Sequence, residues 1–194
     1  MTFEFRESDH SYWLGAQRLE SVTEILSKSG IADYSWSSEE AMTRGKYVHS
    51  ATEMIDRGTL DWDALDTALL PYCKAYQAFI EDKRPEILLS EKPMYHPQWL
   101  YAGKPDRVMR MDDCIILPDL KSGAPNRATA VQVSSYRELV SVSEGINCRK
   151  LFSLHLKDSG KYQLSEPISL MEAKQYFQIF LAALTVERYK KGNP

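Results

Sequence analysis

The sequence has no run of about 18 consecutive apolar residues, the length that a membrane-spanning helix requires, so we expect no membrane partner. It has three cysteines, Cys73, Cys114 and Cys148, and no C-x-x-C pair. The paired spacing of a structural zinc site is therefore missing, and three thiols cannot supply the four ligands of an iron–sulfur cluster. The polar, acidic N-terminal residues do not resemble a signal peptide, so we predict a cytoplasmic protein with reduced thiols.

An excess of positive charge is also missing, because 24 Lys and Arg residues stand against 27 Asp and Glu residues, a net charge of −3. This balance argues against tight nucleic-acid binding through one broad basic surface, but local basic patches along a groove remain compatible with it. The 194 residues, 43% of them hydrophobic and 26% charged, are enough for one packed domain. We therefore expect a single domain spanning residues 1–194.

The most informative stretch is residues 101–123. Two short apolar-rich runs, 107–111 and 114–117, flank the polar pair Asp112-Asp113. This pattern predicts two antiparallel strands joined by a two-residue turn.

Such a turn would make Asp106 and Asp119 cross-strand partners, with Cβ atoms about 4.5–5.5 Å apart. Two carboxylates at that distance repel unless a cation lies between them, so the pair predicts a divalent-cation site. Lys121 would share the side of Asp119 and could orient a water molecule for phosphodiester hydrolysis. The alternative is a surface hairpin with an ordinary Asp–Lys ion pair. Pro118 suits a strand edge or a bulge, and a bulge would shift the register by one residue.

At these residues the chain resembles the PD-(D/E)XK nuclease superfamily, with Pro105-Asp106 and Asp119-Leu120-Lys121 as its signature. It is most similar to the RecB-type branch, which includes phage recombination exonucleases and adds a Gly-x-x-x-His and a Gln-x-x-x-Tyr pattern. Both patterns are present in the family's order, at residues 45–49 and 132–136. The resemblance implies an α/β fold with a restriction-endonuclease-like core, in which helices flank a mixed central sheet.

The resemblance also implies a Mg²⁺ or Mn²⁺ site and assigns roles to residues of this chain. The implied metal ligands are His49, Glu91, Asp106, Asp119 and the Leu120 carbonyl. The implied catalytic residues are Asp106, Asp119, Lys121 and Gln132, with Gln132 supporting the lysine or a phosphate. For His49 the alternative is a helix-face histidine hydrogen-bonded within the fold, and for Glu91 it is an exposed glutamate at a strand end.

The helix that carries the downstream motif supplies the candidate DNA contacts, which are Arg127, Gln132, Tyr136 and Arg137. Core packing is the alternative role for Tyr136. Glu53 lies one helical turn after His49, where it would orient the imidazole or face solvent.

Elsewhere the periodicity predicts strands at 3–6, 11–20, 86–95, 151–156 and 162–164. Capping boxes at Ser21–Glu24, Ser37–Glu40 and Ser169–Glu172 predict three helix starts, and Gly58 a helix end. Further helices are predicted at 61–83, broken near Pro71, and after Pro125.

The resemblance implies a metal-dependent deoxyribonuclease, an exonuclease of recombination or repair, in a bacterial or phage-infected cytoplasm. Its partner would be DNA, including single-stranded ends. Some phage relatives form rings around DNA, so a homo-oligomer or a recombination partner is also compatible with the resemblance. The alternatives are a non-catalytic nucleic-acid-binding module of the same fold and a structure-selective or sequence-specific endonuclease.

Overall fold

The computed structural model describes residues 1–33 and 38–192. The strands in these residues are β1 (Phe3–Arg6), β2 (Ser11–Leu14), β3 (Gln17–Ser21), β4 (Glu86–Ser90), β5 (Met94–Tyr95), β6 (Tyr101–Gly103), β7 (Arg107–Met111), β8 (Cys114–Lys121), β9 (Lys150–Leu156) and β10 (Tyr162–Leu164). The helices are α1 (Val22–Lys28), α2 (Glu39–Arg57), α3 (Leu70–Lys83), α4 (Ala128–Glu144) and α5 (Leu170–Lys190).

The strands form two five-stranded sheets, the N-terminal sheet in the order β1-β2-β3-β6-β5 and the central sheet in the order β10-β9-β8-β7-β4. Each sheet is mixed, since β3 pairs with β6, and β8 with β9, in parallel, while the other pairs are antiparallel. The predicted α/β fold, a mixed sheet flanked by helices and consistent with a restriction-endonuclease-like core, is confirmed.

Alternation along β8 decides what covers each face of the central sheet. Ile116 and Leu120 pack with Tyr76 and Phe79 of α3 in one hydrophobic cluster. Leu117 points to the opposite face, into a second cluster formed mainly with α4 and α5. Both clusters are buried, so the central sheet lies between two helical layers. No helix in the described parts of the chain is long and apolar enough to cross a membrane.

The predicted hairpin turn is confirmed, because Met111 pairs with Cys114 across Asp112-Asp113. Asp112 adopts a left-handed φ of 52°, a conformation that aspartate tolerates in turns. The ladder ends at Met109–Ile116, however, and the prediction that Asp106 pairs directly with Asp119 is wrong.

The expectation of a strand edge or bulge at Pro118 also needs correction. Pro118 lies inside β8, the middle strand, and pairs with Phe152 of β9. Amides two residues apart point to the same side of a strand, and the Leu120 amide points to Asp106, on the β7 side. The ladder to β7 has already ended there, so the missing donor of proline interrupts none of the observed β7–β8 pairs.

Two predicted elements are shorter than the periodicity suggested. Residues 61–69 form bends and turns rather than helix, and α3 begins at Leu70, with Pro71 in its first turn. Asp61 and Asp66 accept hydrogen bonds from nearby amides in this stretch, as in Asx turns. The 86–95 strand is interrupted at residues 91–93, where Glu91 has a positive φ of 47°. The predicted cap at Ser37 lies outside the described residues; the observed N-cap of α2 is Ser38.

The interrupted strand is where the chain crosses between the two sheets. It leaves the central sheet after β4, forms β5 and β6 in the N-terminal sheet, and returns to the central sheet at β7. We call the two crossing segments, residues 91–93 and 104–106, the seam. The seam carries Glu91 and Asp106.

Candidate metal centre

The seam brings Glu91 and Asp106 together through the main chain. The Glu91 amide donates to the Asp106 carbonyl at 3.0 Å, so the two crossing segments run side by side. The left-handed backbone of Glu91 is unusual for a residue other than glycine and depends on such fixed surroundings. Two carboxylates that are 15 positions apart therefore lie at one place between the sheets.

His49 reaches the same place from α2. Its Nδ1 atom lies 3.3 Å from Glu91 Oε1 and 3.4 Å from Asp106 Oδ1. Its Nε2 atom lies 3.2 Å from the Leu120 carbonyl oxygen. His49, Glu91 and Asp106 each offer one donor atom within 4.8 Å of the others. The structure thus brings together four of the five residues that were predicted as metal ligands.

Asp119, the fifth, lies beside this group on β8. It is 1% exposed, and its Oδ2 atom is 2.7 Å from Lys121 Nζ. Its Oδ1 atom is buried and has no hydrogen-bond partner among the described residues. The Asp106 carboxylate connects to the same strand by accepting a 2.7 Å hydrogen bond from the Leu120 amide.

A chain of side chains runs from Lys121 into α4. Lys121 Nζ donates to Gln132 Oε1 at 3.3 Å, and Gln132 Nε2 donates to the Tyr136 hydroxyl at 3.4 Å. The Tyr136 ring lies directly against Gly103, where an added Cβ would be 2.7 Å from Cε1 of the ring. Tyr136 therefore both packs in the core and supports Gln132, which in turn holds Lys121.

The electrostatics of the cluster differ from one group to the next. Burial raises the pKa of the Asp119 carboxyl; the charge of Lys121 opposes this rise and the charge of Asp106 adds to it. Burial acts in the same way on Asp106, but the charge and hydrogen bond of His49 outweigh it and lower its pKa. Burial would lower the pKa of His49, yet the carboxylates of Asp106 and Glu91 raise it to about 10. In the absence of another cation, the two carboxylates therefore favour the protonated imidazole at neutral pH.

This donor set fits a hard divalent cation such as Mg²⁺ or Mn²⁺. Carboxylate and carbonyl oxygens are the ligands that these ions prefer, and imidazole suits the transition metals among them. A buried carboxylate oxygen without a partner, such as Asp119 Oδ1, is costly unless a cation satisfies it. A bound ion would also take over the role of the proton on His49, since only the neutral imidazole coordinates a metal.

Other predicted residues are not brought to this cluster. Arg127 is exposed at the start of α4. The Arg137 guanidinium donates to the Cys148 carbonyl at 3.2 Å and pairs with Glu138. Glu53 pairs with Arg57 at 2.6 Å rather than with His49.

The sequence reasoning missed the cations behind the cluster. Arg107 is fully buried and pairs with Asp56 of α2, and Lys104 Nζ lies 3.0 Å from Glu91 Oε2. Thr52, which contacts Arg107, and Asp56 follow His49 by three and seven positions, the spacing of one helix face. That spacing could have predicted that Thr52 and Asp56 face the same side of α2 as His49. No local sequence pattern predicts the pairing of Lys104 with Glu91.

Comparisons with known proteins agree at the level of the fold. No family model matches the sequence, and no curated protein matches it. Among solved structures, a proposed exonuclease from Eubacterium rectale is similar with a TM-score of 0.51 and 13% identity, covering 88% of this chain and 74% of that one. An alkaline exonuclease from Laribacter hongkongensis aligns at a TM-score of 0.39 and 15% identity, covering 89% and 91%. The first likeness shows that the chain has the fold of that structure.

Proposed function

We propose that this chain is a Mg²⁺- or Mn²⁺-dependent deoxyribonuclease of the RecB-type branch of the PD-(D/E)XK superfamily, and that it acts as an exonuclease. The observation that carries this proposal is the convergence of His49, Glu91, Asp106 and the Leu120 carbonyl beside the unsatisfied Asp119 oxygen. The fold shared with the Eubacterium rectale structure, itself described as a proposed exonuclease, supports it.

The proposed mechanism divides the work among the residues of the cluster. Glu91, Asp106, Asp119, His49 and the Leu120 carbonyl would hold the ion, which when bound acidifies a water and offsets charge on the phosphate. Lys121 would orient the attacking water, because its ammonium lies 2.7 Å from Asp119 Oδ2 and offers N–H donors beside the ion's ligands. Gln132 would keep Lys121 in place through their 3.3 Å hydrogen bond, and Tyr136 would support Gln132.

The substrate contacts in this proposal are limited to residues that can reach a groove. Arg127, exposed at the start of α4, would contact a phosphate. Arg137 would have to release Cys148 and Glu138 before it could do the same. The partner in this proposal is DNA, and the location is the cytoplasm. We also propose a single domain, since α4 packs against strands of both sheets. We also propose a homo-oligomer or a complex with a recombination partner, which measurements of molecular mass in solution would test.

Digestion of end-labelled DNA tests the proposal. The purified chain is incubated with single- and double-stranded DNA, linear and circular, with Mg²⁺ or Mn²⁺ and with EDTA. Mononucleotides from linear substrates only, with no products in EDTA, are expected. Cleavage of closed circular DNA would refute the exonuclease assignment and identify the chain as an endonuclease. Binding without cleavage under every condition would refute the enzyme and leave a nucleic-acid-binding module.

A further inference from the structure

We propose that Arg107 is a positioning residue that holds the metal-binding carboxylates in place, an inference that rests on the proposed function. Arg107 is the first residue of β7 and directly follows Asp106. Its side chain is fully buried and lies behind the cluster, between the seam and α2. Its guanidinium contacts the two crossing segments of the seam, which carry Glu91 and Asp106, and the helix α2, which carries His49.

On the seam side, a single nitrogen of the guanidinium, Nη1, makes the contacts. Nη1 donates to the Asp106 carbonyl at 2.6 Å and lies 3.5 Å from Glu91 Oε1. The same Asp106 carbonyl also accepts from the Glu91 amide. Arg107 therefore fixes both the main chain of one candidate ligand and the side chain of the other.

The α2 side is held by the remaining nitrogens. Nε donates to Asp56 Oδ2, and Nη2 donates to Thr52 Oγ1 at 3.2 Å. Thr52 Oγ1 in turn donates to the His49 carbonyl at 2.9 Å, and Tyr76 donates to Asp56 Oδ1 at 2.7 Å. One planar group thus links the helix that carries His49 to the seam that carries Glu91 and Asp106.

Arginine is the side chain that this position needs. The guanidinium carries five N–H donors in a fixed plane, so it can contact three segments at defined angles. It also keeps its charge when buried, because its pKa is too high for deprotonation inside a protein. A lysine would keep the charge but would offer one ammonium in place of the fork. We therefore expect outer-sphere support of the ligands, a role whose loss typically weakens metal binding by about 10- to 100-fold.

Strand β7 offers a matched control in Arg110, three residues further on. Arg110, like Arg107, pairs with a glutamate, here Glu86 of β4, but both side chains are about half exposed. The same Arg→Lys substitution can therefore be made in one strand, once behind the cluster and once on the surface.

The experiment measures Mn²⁺ binding by calorimetry without DNA, for the wild type, Arg107→Lys and Arg110→Lys, with thermal unfolding as a check of folding. We expect the dissociation constant to rise about 10- to 100-fold in Arg107→Lys and to stay unchanged in Arg110→Lys. Cleavage by Arg107→Lys should recover as Mn²⁺ is raised, because positioning of the ligands and not the chemistry is impaired.

Three other outcomes are decisive. A folded Arg107→Lys protein that binds Mn²⁺ as tightly as the wild type overturns the positioning role. The nuclease proposal then stands as long as the wild-type protein cleaves DNA. A wild type that neither binds Mn²⁺ nor cleaves DNA overturns both. If Arg107→Lys does not fold, Thr52→Val decides instead, because it removes the hydroxyl that links Arg107 Nη2 to the His49 carbonyl and leaves every charge in place. A several-fold weaker Mn²⁺ affinity in Thr52→Val supports the inference, and an unchanged affinity refutes it.

Discussion

The central sheet and the seam both contribute to the candidate metal centre, but they hold its residues in different ways. Asp119 and Lys121 lie within β8, where main-chain pairing with Ser153 and His155 of β9 sets their positions. Glu91 and Asp106 lie outside the strands and are held by single hydrogen bonds to the main chain and by Arg107.

This difference has a physical consequence. A ladder shares its restraint over many main-chain bonds, so one side-chain substitution in β8 changes the chemistry but leaves the register intact. A seam residue is held by a few contacts with neighbouring side chains and main-chain groups. Substitution of one neighbour can therefore displace a metal ligand that is itself unchanged. The comparison therefore predicts a large chemical effect and a small structural effect in β8, and coupled effects at the seam.

The largest expected effect is the loss of activity in Asp119→Asn. Cleavage should fall by more than about 100-fold, since removal of a direct ligand costs more than removal of an outer-sphere partner. The melting temperature of the metal-free protein should be unchanged or higher, because burial and Asp106 disfavour the charged carboxylate. Cleavage assays and thermal unfolding measure the two effects.

Asp113→Asn is the control for that substitution, since Asp113 is exposed at the tip of the same hairpin. It should leave both cleavage and unfolding unchanged. Activity in Asp119→Asn equal to that of this control would remove β8 from the catalytic site.

The second effect tests the seam through metal-linked stability. Mn²⁺ at a hundred times its dissociation constant should stabilise the wild type by about 2.7 kcal/mol, because the ion binds the folded state only. Glu91→Gln should reduce this gain at the same Mn²⁺ concentration, as one charged ligand is lost. Thermal unfolding with and without Mn²⁺ gives the difference.

Glu86→Gln, an exposed substitution at the start of β4, the strand that precedes Glu91, should retain the full gain. An equal gain in Glu91→Gln would mean that Glu91 does not bind the ion.

The third effect is steric and lies where β6 of the N-terminal sheet meets α4. In Gly103→Ala the new Cβ would be 2.7 Å from the Tyr136 ring and 3.1 Å from Leu139 Cδ1. Overpacking of this kind costs about 1–3 kcal/mol of stability, and displacement of Tyr136 should also lower activity through Gln132 and Lys121.

Chemical denaturation measures the cost of Gly103→Ala. Gly123→Ala is its matched control, because nothing lies within 4 Å of the added Cβ there, and its stability should change by less than about 0.5 kcal/mol. Equal stabilities of the two variants would show that Tyr136 yields without cost.

The fourth effect concerns the charge of His49. Its pKa is raised from 6.5 to about 10, so the metal-free protein gains stability from the imidazolium fully below pH 6.5 and loses it as the pH rises to about 10. The imidazole should be protonated at pH 8 without metal and should deprotonate when Mg²⁺ is added. A nuclear magnetic resonance titration of the labelled ring measures both states.

His49→Gln should remove that part of the pH dependence of unfolding between pH 6.5 and 10. A neutral imidazole at pH 8 in the metal-free protein would contradict the close approach of Glu91 and Asp106.

Local patterns predicted much of the fold and part of the centre. The Asp112-Asp113 turn followed from its flanking runs, and the capping boxes at Ser21 and Ser169 are present as predicted. The shared side of Asp119 and Lys121 followed from strand alternation and is observed at 2.7 Å. The predicted helix at 61–83 is shorter than expected, since α3 begins at Leu70 with Pro71 in its first turn, where proline is tolerated.

By itself the sequence determined most of the helices and strands, the Asp112-Asp113 turn and the side of β8 on which Asp119 and Lys121 lie. Only the tertiary structure decided where Asp106 points, that Lys104 pairs with Glu91, and that Arg107 lies buried against Asp56. The reason is the range of the interactions involved. Turns, caps and strand alternation act between residues a few positions apart, so their patterns are visible in order. The contacts of the centre join residues as far as 71 positions apart, as between His49 and Leu120, and exist only once both sheets are assembled.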